Sequence, residues 1–372
     1  MRITFVLQHA YRSGGDRVVA IYAAELMRRG HQVTVISTPW PAPSLKDRVR
    51  QWLRPWAVRR PIGVVASHFD GTGIPHHVTE KSRAIVDADV PDGDVVIATW
   101  WETAEWVSRL SPSKGRKAYL IQHYETWGGD KDRVDATWRL PLKKIVISKW
   151  LADLARDQFG DREVAHVPNA VDTVQFDAPP RGKQATPTIG LLYSHVKFKG
   201  CDVAFAAIER VRGELPEARL IAMGLRPPAA ELPLPANTTY KQDPPQEKIR
   251  EIYAQCDVWL CASRSEGFHL PPLEAMACRC PVASTRVGGP LDIVEEGVNG
   301  FLVDVGDEAA LADRVLRVLR LPQSDWRKMS DAAYATARGY TWSDACTRLE
   351  DVLRGFLPPP RRTELETRKR GD

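Results

Sequence analysis

Three kinds of signal are missing from this sequence of 372 residues. No apolar run reaches the roughly 20 residues that a membrane-spanning helix needs, and the chain turns polar soon after Met1, so we expect a first strand there and not a signal peptide. The six cysteines lack the spacing of a zinc site, which indicates buried, reduced thiols and a cytoplasmic location. The loop after the first apolar run lacks Gly-x-Gly-x-x-Gly, which disfavours a dinucleotide-binding dehydrogenase.

Charge excludes a further class. The formal net charge is only +5, with 27% charged and 43% hydrophobic residues, which is typical of a soluble globular protein and too weak for a nucleic-acid-binding one. One stretch, Pro39 to Arg60, interleaves basic residues with Trp52 and Trp56. Two interpretations stay open: a solvated excursion at the rim of a sheet, or a surface that contacts an anionic membrane.

The first half of the chain opens with a strand, a helix and a strand. Apolar patterning predicts strands at Ile3–Leu7 and Val33–Ser37 with a helix over 17–29 between them. This order is the start of a parallel, doubly wound sheet. Gly14 and Gly15 precede the helix, and they either form a plain turn or let an anion approach the backbone.

Two further strands are predicted at Asp94–Trp101 and Lys117–His123, the second delivering His123 to the edge where ligands bind in such sheets. A second alternation of strands and helices begins at Thr188. Because the chain is too long for one ordinary core, we expect two domains. The predicted organisation is a first domain over 1–168, a linker over 169–187, a second domain over 188–340, a helix over 341–357 that packs back toward the first domain, and a mobile tail over 358–372.

The stretch from Val258 to Asp304 concentrates the chemistry. A buried strand at 258–262 precedes a loop carrying Glu266, and Pro271 suits the start of the helix that follows. Glu274 is expected in the first turn of that helix, so two carboxylates would lie near one strand–loop–helix junction. Because a helix start offers unpaired N–H groups and partial positive charge, it suits a phosphate. A phosphate flanked by two hydroxyl-binding carboxylates indicates a nucleotide-sugar site.

Four motifs carry a family resemblance that covers essentially the whole chain. They are Glu266-Gly-Phe-His-Leu-Pro-Pro-Leu-Glu274, Lys199-Gly200-x-Asp202, Pro168-Asn169-Ala170-Val171-Asp172, and Gly288-Gly289 to Asn299-Gly300. In this order and context they are similar to those of family-4 retaining glycosyltransferases. The resemblance implies the α/β fold called GT-B, with two doubly wound, parallel-sheet, Rossmann-like domains facing across a cleft.

The resemblance also implies roles for individual residues. Glu266 would hold hydroxyls of the transferred sugar and Glu274 the ribose diol, while Lys199 would neutralise the leaving diphosphate in place of a metal. His123 would lie near the sugar and diphosphate. The backbone around the helix start would cradle the diphosphate, which adds Gly267, Phe268, His269 and Leu270 to the donor site.

The sequence departs from the family pattern beside the diphosphate. The family commonly has an arginine where this chain has Ser194, and His195, Lys197 or Arg264 is a candidate to replace it. His269 stands where glycine is common. These departures concern the choice of donor more than the class of reaction.

The resulting hypothesis is a retaining, metal-independent glycosyltransferase without a cofactor. It would move a sugar from a nucleotide-sugar donor to a hydroxyl acceptor, sugar or lipid-linked, in cell-surface polysaccharide or glycolipid synthesis, with peripheral contact to the inner membrane face and no nucleic-acid partner. Two alternatives stay open: a catalytically silent nucleotide-sugar-binding protein, because the usual arginine is missing, and a GT-B-like nucleotide-sugar epimerase.

Overall fold

The structure is a computed structural model that describes residues 1–43 and 62–357. Most of the basic, tryptophan-containing stretch and the predicted tail at 358–372 lie outside these ranges. Within the two described ranges, no helix is both long enough and apolar enough to cross a membrane.

The first sheet has seven strands in the spatial order β3-β2-β1-β4-β5-β6-β7. Its strands are β1 (Arg2–His9), β2 (Gln32–Thr38), β3 (His76–Val78), β4 (Val95–Ala98), β5 (Arg116–Ile121), β6 (Lys143–Val146) and β7 (Ala165–His166). The pairs of β1 with β2 and with β4, and of β4 with β5, are parallel. The central strands are buried on both faces, as their continuous apolar runs predict.

The second sheet has six strands in the order β10-β9-β8-β11-β12-β13. They are β8 (Thr188–Leu192), β9 (Arg219–Gly224), β10 (Thr238–Gln242), β11 (Val258–Cys261), β12 (Val282–Thr285) and β13 (Gly300–Val303). All five pairs are parallel. The expectation of two doubly wound parallel sheets is therefore confirmed.

Helices form most of the connections between successive strands, as is usual for parallel pairing. In the described residues they are α1 (Gly14–Arg28), α2 (Trp101–Ser108), α3 (Lys131–Trp138), α4 (Lys149–Phe159), α5 (Cys201–Glu214), α6 (Gln246–Ala254), α7 (Leu270–Ala277), α8 (Pro290–Ile293), α9 (Glu308–Arg320), α10 (Gln323–Arg338) and α11 (Trp342–Gly355).

Two compact units divide the chain. Among the described residues, the first contains 1–43, 62–121, 125–145 and 346–357, and the second contains 122–124 and 146–345. In the first unit Glu350 of α11 accepts hydrogen bonds from Arg29 at 3.2 Å and lies 3.0 Å from the His31 ring. The linker at 169–187 stays a prediction, because two boundaries differ. The first sheet extends to β7, which ends at residue 166, whereas the division into compact units falls after residue 145.

Two predicted strands end earlier than expected. The strand predicted at Asp94–Trp101 covers only 95–98, because Trp101 already begins α2. The strand predicted at Lys117–His123 ends at Ile121, so His123 lies in the loop beyond it. Two further elements were not predicted: β10, whose residues are only partly buried or exposed and so lack an apolar run, and the polar helix α6.

Glycines allow the second sheet and its connections to pack closely. A Cβ on Gly190 of β8 would lie 2.2 Å from the ring of Trp259 in β11. Gly200 has a φ of +66°, and a Cβ there would lie 1.9 Å from the carbonyl oxygen of Ala262. Because only glycine fits such a position, the loop that carries Lys199 is held against the end of β11.

Candidate active site

The candidate site lies at the carboxyl end of β11, within the second unit. The loop after Cys261 leads to α7, which begins at Leu270. His269 is the residue before this helix, and its backbone has the left-handed φ of +71°. A non-glycine residue there is under about 1–2 kcal/mol of backbone strain, so the turn is held by the structure around it.

Lys199 and Glu266 form an ion pair at the centre of the site. The Nζ of Lys199 lies 2.9 Å from Oε1 and 3.1 Å from Oε2 of Glu266. The hydroxyl of Ser263 donates a third hydrogen bond to the carboxylate at 2.7 Å. The Glu266 side chain is only 7% exposed, whereas that of Lys199 is 27% exposed. The ammonium group can therefore reach both the buried carboxylate and a ligand.

Burial and charge act in opposite directions on this carboxyl group. Burial alone would raise the pKa of Glu266, but the coulombic interactions with protonated His269 and with Lys199 and the hydrogen bonds from Lys199 and Ser263 outweigh it and hold the pKa below its usual value. At neutral pH, where His269 is uncharged, Lys199 is the cation beside Glu266. Glu266 is thus a carboxylate at neutral pH, an acceptor suited to sugar hydroxyls.

His269 is buried beside this carboxylate. Its Nε2 lies 3.7 Å from Oε1 of Glu266, and its Nδ1 has no hydrogen-bond partner among the described residues. Burial lowers the pKa of His269 to about 4, against the pull of Glu266. The ring is therefore neutral at neutral pH and offers polar nitrogens at the start of α7.

Glu274 lies farther along α7 than predicted. The helix begins at Leu270, so Glu274 is its fifth residue and falls in the second turn, not the first. The carboxylate is buried and accepts a hydrogen bond of 2.9 Å from the hydroxyl of Tyr253 in α6. The hydroxyl of Tyr253, and not the first turn of α7, therefore orients the Glu274 carboxylate.

His123 lies in the loop after β5 and belongs to the second unit. Its Nδ1 is 2.9 Å from the carbonyl oxygen of Tyr124, which assigns a proton to this nitrogen, and its Nε2 is 3.3 Å from the hydroxyl of Ser265. Burial lowers the pKa of His123, against hydrogen bonds and the charge of Glu266 that raise it. Nε2 is thus the nitrogen of a neutral ring that lies toward the loop of Glu266.

Gly267 joins this loop to two other segments of the second unit. A Cβ on Gly267 would lie 1.7 Å from the carbonyl oxygen of Gln122. The carbonyl oxygen of Gly267 accepts hydrogen bonds of 2.8 Å from Ser148 Oγ and from Trp150 Nε1. These contacts place His123 and Glu266 on either side of the same close approach.

The remaining predicted residues are less central. Arg264 pairs bidentately with Asp202, at 2.9 and 2.7 Å, and so is engaged away from Glu266. The hydroxyl of Ser194 accepts the N–H of Val196, and His195 is partly exposed in the same loop. The predicted glycines Gly14 and Gly15 belong to the first unit, where they begin α1.

Sequence reasoning missed two polar residues of the site. Ser263 lies three positions before Glu266 and donates to it, and Tyr253 lies on a helix that the sequence analysis left out. A serine so close before a loop glutamate was a readable signal. The tyrosine was not, because its contact with Glu274 depends on how α6 packs against α7.

Comparisons with known proteins place the site in a family context. Residues 176–336 match the family described as Glycosyl transferases group 1. A D-inositol 3-phosphate glycosyltransferase of Mycobacterium leprae (strain Br4923) is 31% identical over an alignment 388 positions long, with 91% of this chain and 87% of the relative covered. Sucrose synthase of Acidithiobacillus caldus is 43% identical over 95 residues, which is 24% of this chain and only 12% of that protein. Several other curated relatives are also matched over less than half of their length.

Solved structures share the fold. Anabaena HepE in complex with UDP superposes with a TM-score of 0.72, covering 96% of this chain and 100% of HepE at 16% sequence identity. A sucrose-phosphate synthase from Thermosynechococcus elongatus gives a TM-score of 0.70 at 15% identity, with 95% and 98% of the two chains covered. The GT-B fold expected from the motifs is therefore confirmed.

Proposed function

The chain belongs to the group 1 glycosyl transferases, and from this premise we propose that it transfers a sugar from a nucleotide sugar to a hydroxyl acceptor with retention of the anomeric configuration. The transfer needs no metal or cofactor in this proposal. It serves the synthesis of a cell-surface polysaccharide or glycolipid, at the cytoplasmic face of the membrane.

One observation carries the proposal: a buried carboxylate and a partly exposed ammonium group meet at the start of α7. An ammonium group has three N–H donors, and Lys199 directs donors to the two oxygens of Glu266 while remaining 27% exposed. A further donor can bind a diphosphate oxygen. The helix start adds partial positive charge at the same place. Together they stabilise the negative charge that develops on the leaving diphosphate.

The carboxylates then hold the two ends of the donor. Glu266 accepts hydrogen bonds from hydroxyls of the transferred sugar, because its lowered pKa keeps the carboxyl group ionised. Glu274, oriented by Tyr253, accepts the ribose hydroxyls. The Nε2 of the neutral His123 ring accepts a hydrogen bond from a hydroxyl of the sugar.

The proposed step is balanced without a separate base. The acceptor oxygen forms a bond to the anomeric carbon on the face from which the bond to the phosphate oxygen breaks. The proton of the acceptor hydroxyl passes to the departing diphosphate. In this mechanism Lys199 steadies the diphosphate while it takes up that proton, so replacing the lysine affects turnover more than donor binding.

The test begins with the donor. A thermal-shift screen with UDP-, GDP-, ADP- and dTDP-sugars identifies the base, since a bound donor stabilises the fold by mass action. Acceptor-dependent nucleotide release and product NMR then report transfer and configuration. Glu266→Gln and Lys199→Met are expected to lose at least a hundredfold in turnover, whereas Glu247→Gln and Lys328→Met, at exposed positions away from the site, keep it.

Each alternative has its own outcome. Donor binding without turnover in any acceptor mixture would identify a silent binding protein. A donor sugar converted with no acceptor present would identify an epimerase. A product of inverted configuration would contradict retention alone and leave the transfer intact.

A further inference from the structure

We propose that the first unit carries a carbohydrate-binding site formed by Gln8, Glu102, Trp100 and Trp127, and that the acceptor of the transfer is therefore a sugar. Only the identification of this ligand as the acceptor rests on the proposed function. The binding site itself is argued from the first unit alone.

The site lies where the strand order of the first sheet reverses. From β1 the chain passes through α1 to β2 on one side, whereas β4 and β5 lie on the other side of β1. In open parallel sheets, ligands bind outside the carboxyl ends of the strands at such a point. Gln8 lies near the end of β1 and Glu102 follows β4, and the Gln8 amide donates to the Glu102 carboxylate here.

The polar pair suits hydroxyl groups. Glu102 supplies acceptors and the Gln8 amide supplies both a donor and an acceptor, and both side chains are partly exposed. Adjacent sugar hydroxyls act as donors and acceptors in turn, so an amide beside a carboxylate matches them. A phosphate would be repelled by the carboxylate, and a hydrocarbon chain would leave both groups without partners.

An aromatic surface adjoins this pair. Trp127 is 57% exposed as a residue, and its ring meets the ring of Trp100 edge to face, with centroids 5.4 Å apart and an interplanar angle of 64°. Trp100 is the residue before α2 and Glu102 is the second residue of that helix, so the ring and the carboxylate leave the chain two positions apart. Trp100 thus links the ring of Trp127 to the pair of Glu102 and Gln8, and the proposed site takes in all four side chains.

The exposure of Trp127 is built into its loop, residues 125–130. Gly128 and Gly129 pack on tryptophan rings: a Cβ on the first would lie 2.6 Å from the Trp100 ring, and on the second 2.4 Å from the Trp101 ring. The Gly128 N–H donates to the carbonyl oxygen of Glu125 at 2.8 Å. The tryptophan between these anchors is thus held outward.

Glu125, the first residue of this loop, anchors it to β5 and α2. Its carboxyl group is buried and accepts the N–H of Trp101 at 2.8 Å and the hydroxyl of Tyr119 at 3.3 Å. Burial raises the pKa of this group well above its usual value. Trp127, on a loop so firmly anchored, supplies a flat apolar face, and Glu102 and Gln8 supply polar groups; a pyranose ring needs both.

Binding is tested first without any donor. Saturation-transfer difference NMR with a panel of neutral methyl glycosides (glucose, galactose, mannose and N-acetylglucosamine, in both anomers) is expected to show binding of at least one. Trp127→Ala and Glu102→Gln should weaken that binding at least tenfold, and Trp127→Phe less so. Glu105→Gln, one turn along α2 in an ion pair with Arg133, and Val174→Ala, at a residue that is 83% exposed, are the matched controls.

Transfer is tested second, with the donor found in the thermal-shift screen. The glycoside that binds should stimulate nucleotide release, and Trp127→Ala should raise the KM for this acceptor at least tenfold while the KM for the donor changes less than twofold. Stimulation by glycerol or polyprenyl phosphate but by no glycoside would overturn the proposal, as would glycoside binding that is equal in the wild type and in Trp127→Ala. If no donor is turned over at all, the NMR result still decides whether the sugar site exists.

Discussion

Lys199 and Glu266 are 67 positions apart in the sequence, yet the lysine Nζ lies within 3.1 Å of both oxygens of a carboxylate that is almost fully buried. Removing one partner of such a pair leaves an uncompensated charge. Lys199→Met is therefore expected to destabilise the fold by about 3 kcal/mol, because Glu266 must stay ionised without its cation or take up a proton. Urea unfolding measures the loss.

The double variant separates stability from catalysis. Lys199→Met combined with Glu266→Gln removes both charges, so most of the lost stability should return while nucleotide release stays abolished. Lys328→Met, at an exposed position of α10, is the control for the lysine substitution. If the double variant is as unstable as Lys199→Met, the pair does not stabilise Glu266 in the way described.

Glu274 is expected to decide how the ribose is recognised. A hydrogen bond to a charged group is worth about 1.5–3 kcal/mol, so Glu274→Gln should raise the KM for the donor about 10- to 150-fold. The same variant should lose the preference of the wild type for a donor over its 2′-deoxy analogue. Tyr253→Phe, which removes the hydroxyl that orients Glu274, should raise the KM less. An unchanged preference in Glu274→Gln would place the ribose elsewhere.

His269 makes stability depend on pH. In the unfolded chain this histidine titrates near 6.5, whereas burial lowers its pKa to about 4 in the folded protein. Between these values the unfolded state binds more protons, so stability falls as the pH drops from 6.5 toward 4, by at most about 3 kcal/mol. His269→Asn keeps a residue that tolerates a positive φ and lacks the titrating ring. Thermal unfolding from pH 7.5 to 4.5 should show a flatter decline for the variant, and parallel curves would contradict the prediction.

Gly267→Ala should disrupt the site through the backbone. The new Cβ would lie 1.7 Å from the carbonyl oxygen of Gln122, so the loops of His123 and Glu266 must separate. We expect turnover to fall at least a hundredfold and the unfolding midpoint to drop. Gly213→Ala is the control, because a Cβ there meets no atom within 4 Å beyond the backbone of its own helix and its chain neighbours, and it should leave the activity unchanged. Normal kinetics in Gly267→Ala would show that the close approach is dispensable.

Much of the fold was readable because apolar runs report burial directly. The continuous runs of β1 and β11 predicted central strands, and both strands are fully paired within their sheets. β10 was not predicted because its residues, Thr238–Gln242, are only half-buried at the edge of the sheet. Trp101 was assigned to a strand because its apolar ring extends the run of β4, whereas a hydrogen bond from its N–H to Glu125 holds it at the start of α2.

The sequence indicated which residues belong to the candidate site, but not which of them form ion pairs with one another. The spacing of Glu266 and Glu274 indicated two carboxylates near one helix, and both are buried there. The pairing of Lys199 with Glu266 could not be read, because it depends on Gly200 bringing its loop within 1.9 Å of the end of β11. Likewise, Arg264 was a plausible phosphate ligand by charge alone, yet Asp202 holds it in a bidentate pair.

All six thiols of the chain are free and buried. Burial raises the pKa of every one of them above its usual value, so each stays in the unreactive thiol form. A cysteine introduced on the surface would consequently be the one group that a maleimide dye modifies in the folded protein. The wild type thus serves as its own silent background for fluorescence labelling. The rate at which its native thiols become reactive reports local opening, of the first unit at Cys346 and of the second unit at the other five.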